Sequence, residues 1–113
     1  MYIEQLIESI DKRPKMYVKE EKLEYIYYYI LGYCSASHHF STDEMDKMFC
    51  CWFWKWLVKW IEDNVNSEYQ TKSAIWYDDI RNIAENENEE IELFFRLSRE
   101  FFEDYKNKTG YFK

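Results

Sequence analysis

Apolar side chains recur along this chain at three- and four-residue steps, the period of helices that bury one face. Ile3, Leu6, Ile7 and Ile10 set out a short first helix. Pro14 ends it, because a proline pushes the residue before it, Arg13, out of helical geometry. A second helix is predicted from about Glu20 to His39, with Leu23, Ile26, Tyr27, Ile30, Leu31 and Cys34 on one stripe. Tyr25, Tyr28 and Tyr29 widen that stripe around the circumference, a pattern that predicts a central position in the fold.

Ser41 and Glu44 are spaced as a capping box for a third helix. It carries Met45, Met48, Phe49, Trp52, Phe53, Trp56, Leu57, Trp60 and Ile61 on one side, with Asp46, Lys47, Lys55, Lys59, Glu62 and Asp63 on the other. A fourth helix is expected from about Lys72 to Ala84, with Ile75, Trp76, Ile80, Ile83 and Ala84 inward. After a polar break, Asn86 or Asn88 can cap a fifth, from about Glu89 to Lys106, which presents Ile91, Phe94, Phe95, Ser98, Phe101, Phe102 and Tyr105. No stretch alternates as strands do. The expected fold is all-α, a single domain over residues 1–113 of about five helices packed around the Met45–Ile61 segment.

Composition supports this reading and narrows the function. Only 2 Gly and 1 Pro occur in 113 residues, too few to punctuate a set of hairpins. The formal net charge of -7 has the wrong sign for a phosphate backbone or an anionic bilayer surface, so neither nucleic acid nor membrane is an expected partner. A basic protein is the complementary one, although acidity also serves solubility alone. The most apolar run, Met48 to Ile61, is broken by Lys55 and Lys59 and is too short to span a bilayer. No basic-then-apolar leader opens the chain, which predicts a cytoplasmic protein with reduced thiols. Cys34, Cys50 and Cys51 form a poor disulfide framework, being odd in number with two adjacent.

Chemistry is sparse. Cys34, His38, His39 and the Cys50-Cys51 pair lack the spacing of a zinc site, and Cys34 with His38 has no oxyanion-stabilising turn beside it. The carboxylate pairs Asp43/Asp46, Glu62/Asp63 and Asp78/Asp79 are expected on solvated faces, where nothing raises a pKa for acid catalysis. No catalytic residue, metal ligand or cofactor is expected. The 5 Trp, 11 Tyr and 8 Phe exceed what one small core holds, and the overflow suits an interface. A homodimer would use it as well as a foreign partner. Between Asp78 and Glu92 the chain sets seven acids against Arg81 alone. That density fits a solvated loop, or a docking patch that steers a cationic partner.

Lys12-Arg13-Pro14-Lys15-Met16-Tyr17, then a leucine and Gly32-Tyr33, resembles the Arg-Pro-x-Met-Tyr … Gly-Tyr pattern of small bacterial immunity proteins. These are the partners of polymorphic and contact-dependent growth inhibition toxins. Trp52-Phe53-Trp54, Trp76 and Phe94-Phe95-x-Leu97 with Phe101 are in the same style. The resemblance implies a non-enzymatic protein that binds and neutralises a cognate toxin C-terminal domain, frequently a nuclease whose active site is basic. Charge and aromaticity single out Asp78, Asp79, Glu85, Glu87, Glu89, Glu90 and Glu92, with Trp76 and Tyr77 as anchors, for the toxin-binding surface. Two other readings stay open. One is a small-ligand or enzymatic domain using the Tyr25–His38 region, and the other is an acidic mimic of nucleic acid.

Overall fold

Pro14 and the short polar connections divide the chain into helices that all share one apolar interior. The computed structural model describes residues 2–40 and 42–112. The order is α1 (Ile3–Lys12), a 3-10 turn at Pro14–Met16, α2 (Leu23–Phe40), α3 (Glu44–Asn64), α4 (Trp76–Ile83), α5 (Glu87–Asn107) and a final 3-10 turn at Gly110–Phe112. The fold is all-α, and no strand occurs among the described residues.

α3 packs against each of the other four helices. Its inward stripe, Phe49, Phe53, Trp56, Leu57 and Ile61, is buried along its length. Phe49 and Phe53 stack at 4.6 Å between ring centroids, and Phe101 of α5 meets both edge-on. Trp76 of α4 lies flat against Phe94 of α5 at 4.7 Å and turns its edge to Phe53. Offset and edge-on pairs of this kind add about 0.5–1.5 kcal/mol each beyond area burial. α1 closes the core with Ile3, Leu6, Ile7 and Ile10, all buried.

Several expectations need correction. α2 is not central. It buries Leu23, Ile26, Ile30 and Ser37, while Leu31 and Tyr25, Tyr28 and Tyr29 face outward. Its apolar circumference is therefore partly surface, not core. α4 begins at Trp76, four residues later than expected, because Ala74 takes a positive φ of 56° and breaks the helical path. Ile75 is left exposed there.

Ser41 lies outside the described residues. The cap of α3 is Asp43, whose carboxylate accepts the Asp46 N–H at 3.0 Å. Asn86 caps α5 as expected, accepting the Glu89 N–H at 2.9 Å. Asp46, expected on the polar side of α3, is wholly buried. It accepts the Ile3 N–H at 2.9 Å and the Tyr33 hydroxyl at 2.7 Å. One carboxylate thus ties the first turn of α1 and the middle of α2 to α3.

The cysteines also depart from expectation. Cys34 and Cys50 are joined by a disulfide with Cα atoms 5.5 Å apart, and Cys51 is free and exposed. Adjacent cysteines rarely pair with each other, and Cys50 and Cys51 do not. Adjacency says nothing about Cys34, which the short α2–α3 connection folds back opposite Cys50.

Candidate functional site

α4 is short because Ala84 turns to extended backbone, and the chain passes through Glu85 directly into α5. This brings the acids of the Asp78–Glu92 stretch close together, but on two sides of the molecule. Asp79 leaves the surface altogether. It is 0% exposed, with Tyr69 Oη donating at 2.5 Å and Thr71 Oγ1 at 3.3 Å. Desolvation pushes its carboxyl above the ordinary 3.8, against the opposing pull of those two hydroxyls. Its role is to fasten the α3–α4 connection to α4. Trp76, one of the two expected anchors, is held largely by Phe94 and Phe53 in the core.

The other expected anchor, Tyr77, lies on a tyrosine surface. Its ring stacks on Tyr27 of α2 at 5.3 Å, and Tyr27 in turn meets Tyr28 and the edge of Trp76 at 5.3 and 5.0 Å. Arg81 lies over the Tyr77 ring at 5.3 Å and reaches Glu90 at 4.0 Å. Burial raises the Tyr77 phenol, Arg81 offsets part of this, and Glu24 and Glu90 add to it. Burial likewise raises Tyr27, with Tyr28 and then Asp78 contributing. At the entry to α2, Lys22 is raised chiefly by its partner Glu20 and then by Glu87. The chain therefore assembles Tyr27, Tyr28 and Tyr77 with Glu24, Asp78, Glu87 and Glu90 around α2, α4 and the start of α5.

Glu89 and Glu92 belong to a different face. They line a cleft of about 450 Å³ with Trp60, Val65, Ile83, Leu93 and Arg96, where Arg96 covers the Trp60 ring at 5.7 Å. Glu85 is exposed between the two sides. Of the residues singled out by charge, Asp78, Glu87 and Glu90 share the tyrosine face. Glu24, Tyr27 and Tyr28 complete it. They escape a reading of the acidic stretch because they lie some fifty residues upstream, and only the α2–α4 contact joins them.

Cys34 and His38 are not brought together as a nucleophile and base. The Cys34 sulfur is bonded to Cys50, and His38 and His39 are exposed with their rings 5.4 Å apart. Tyr33 turns inward to Asp46, away from a cage with Tyr25, Tyr28 and Tyr29. Among the described residues, no three His, Cys, Asp or Glu side chains converge as metal ligands, and no helix is long and apolar enough to cross a membrane. No family model, no curated protein and no solved structure matches this chain.

Proposed function

We propose that this chain is an immunity protein, a non-enzymatic binder that neutralises the C-terminal domain of a cognate bacterial toxin through the acidic tyrosine face of α2 and α4. The observation that carries the reading is the Tyr27–Tyr77 stack, in which two half-buried rings join the exposed Tyr28 of α2 to the carboxylates beside α4. Tyrosine supplies large rigid contact area with a polar tip, and surrounding carboxylates select a cationic partner. A basic nuclease surface has that chemistry.

In this reading the protein works in the cytoplasm without a cofactor, nucleic acid or a membrane, where the Cys34–Cys50 bond faces a reducing pool. The test is co-expression with any toxin domain encoded by a neighbouring reading frame. Wild type restores growth and co-purifies with the toxin, whereas a variant with Tyr28→Ala, Tyr77→Ala, Asp78→Asn and Glu90→Gln does neither while keeping its helical spectrum. A chain that neither binds nor protects against any neighbouring toxin domain contradicts the proposal.

A further inference from the structure

The outer side of α3 carries a second concave surface, and its chemistry is opposite to that of the acidic face. A groove of about 660 Å³ runs between α3 and the final 3-10 turn, lined by Trp52, Trp54, Trp56, Lys55, Lys59 and Tyr111, among others. Its volume falls within the roughly 300–1,000 Å³ of small-molecule sites. It shares no residue with the tyrosine face.

The walls are held in place. Trp56 donates its indole N–H to Asp104 Oδ2 at 3.1 Å, and the Tyr111 hydroxyl donates to Asp63 Oδ2 at 2.6 Å. Trp56 and Tyr111 also meet edge to face at 6.1 Å. Trp56, buried in the core stripe of α3, forms the floor, and with its hydroxyl engaged by Asp63 the Tyr111 ring offers the groove mainly carbon surface. Trp52 is 47% exposed, so part of its indole is open to the groove.

The charged groups give the groove a direction. Lys55 sits over the Trp52 ring at 5.4 Å and has no carboxylate ion pair among the described residues. Lys59, one turn on, is paired with Glu62 at 3.7 Å. The cationic group of the groove left without an ion pair is therefore Lys55, within a chain whose net charge is -7. A neutral apolar ligand would leave the Lys55 ammonium unused, and a cation would be repelled by it.

We propose that this groove binds a small planar aromatic anion. Its rings would lie against Trp52 and Tyr111, and its negative group would sit at the Lys55 ammonium. This inference is independent of the toxin-binding reading.

The test uses the full chain, titrated with anilinonaphthalene sulfonate and, separately, with its uncharged relative phenylnaphthylamine, reading energy transfer from tryptophan. The sulfonate should bind saturably at one site, about tenfold more tightly than the neutral probe. Lys55→Glu should remove that preference, Lys55→Arg should keep it, and Trp52→Ala should weaken both probes. The double variant Asp78→Asn, Glu90→Gln should bind the sulfonate as wild type does. Near-ultraviolet circular dichroism is followed throughout, since loosened cores also take up such dyes. Equal affinity for the two probes, binding indifferent to Lys55→Glu, no saturable site, or dye uptake that only tracks loss of the near-ultraviolet signal would each overturn the proposal.

Discussion

Tyr27 stacks on Tyr77 with ring planes 20° apart, and this contact converts two unremarkable sequence features into one surface. The tyrosines of α2 are surplus to the core, and the acids after α4 repel one another. Together they form an amphipathic face of aromatic rings bordered by negative charge. Burial raises the Tyr77 phenol, Arg81 opposes the rise, and Glu24 and Glu90 add to it, so carboxylates from both α2 and α5 bear on this ring.

The first prediction concerns Asp46, the buried carboxylate that holds α1 and α2 to α3. Asp46→Ala leaves the Ile3 N–H and the Tyr33 hydroxyl without this acceptor. Chemical denaturation should show a loss of about 3 kcal/mol, against about 1 kcal/mol for Tyr33→Phe, which removes one donor and leaves no polar orphan on its own side. An Asp46→Ala protein as stable as wild type would show that the contacts are incidental.

The disulfide gives the second. The loop from Cys34 to Cys50 has a sequence separation of 16, and closing a loop of that size stabilises by about 3 kcal/mol on the chain-entropy account. Reductant and Cys34→Ser should therefore lower stability to a similar extent, while Cys51→Ser changes nothing. The protein should stay helical when reduced, since its core does not depend on the bond. If reductant leaves the denaturation midpoint unchanged, the link is not part of the stable state.

How far these features could be read from the chain depended on what each required. The α3 stripe was legible because periodicity reports burial directly, and Asn86 was legible because capping is local. Asp46 was not, since an acid in the first turn of a helix normally serves the dipole in solvent. Here its register places it beneath α1 and α2. Cys34–Cys50 needed the α2–α3 hairpin, and Glu24 with Tyr27 needed the α2–α4 contact, neither of which periodicity encodes. Trp52 sits at the same helical spacing as its buried neighbours, so only the packed structure distinguishes the groove wall from the core.

Alkaline pH provides the third prediction. Tyr69 is pushed from 10.0 up to about 12, chiefly by burial, with Asn82 opposing and Asp79 adding to the rise. Tyr33 and Tyr111 are raised by burial and by their hydrogen bonds to Asp46 and Asp63. A pKa higher in the folded state means the fold retains a proton that the unfolded chain loses. The contribution of these groups is therefore complete below pH 10 and declines as pH rises from 10 through the raised values. Spectrophotometric titration should show late-ionising phenols among the 11 tyrosines, accompanied by falling stability, and Tyr69→Phe should remove part of the decline. All tyrosines ionising together near 10 in the folded protein would contradict this.

The central proposal is that the tyrosine face steers and holds a basic toxin domain, and association kinetics with a toxin domain encoded by a neighbouring gene test it most directly. Neutralising Glu24, Asp78, Glu87 and Glu90 together should slow association at low salt by about tenfold or more. Rates of wild type and variant should converge near 1 M salt, where screening shortens the reach of exposed charges to about 3 Å. Tyr77→Ala should act mainly on dissociation, and Glu89→Gln with Glu92→Gln, on the other face, should slow association less. An unchanged association rate at low salt for the fourfold neutralised variant would contradict the account and remove this face from the interface.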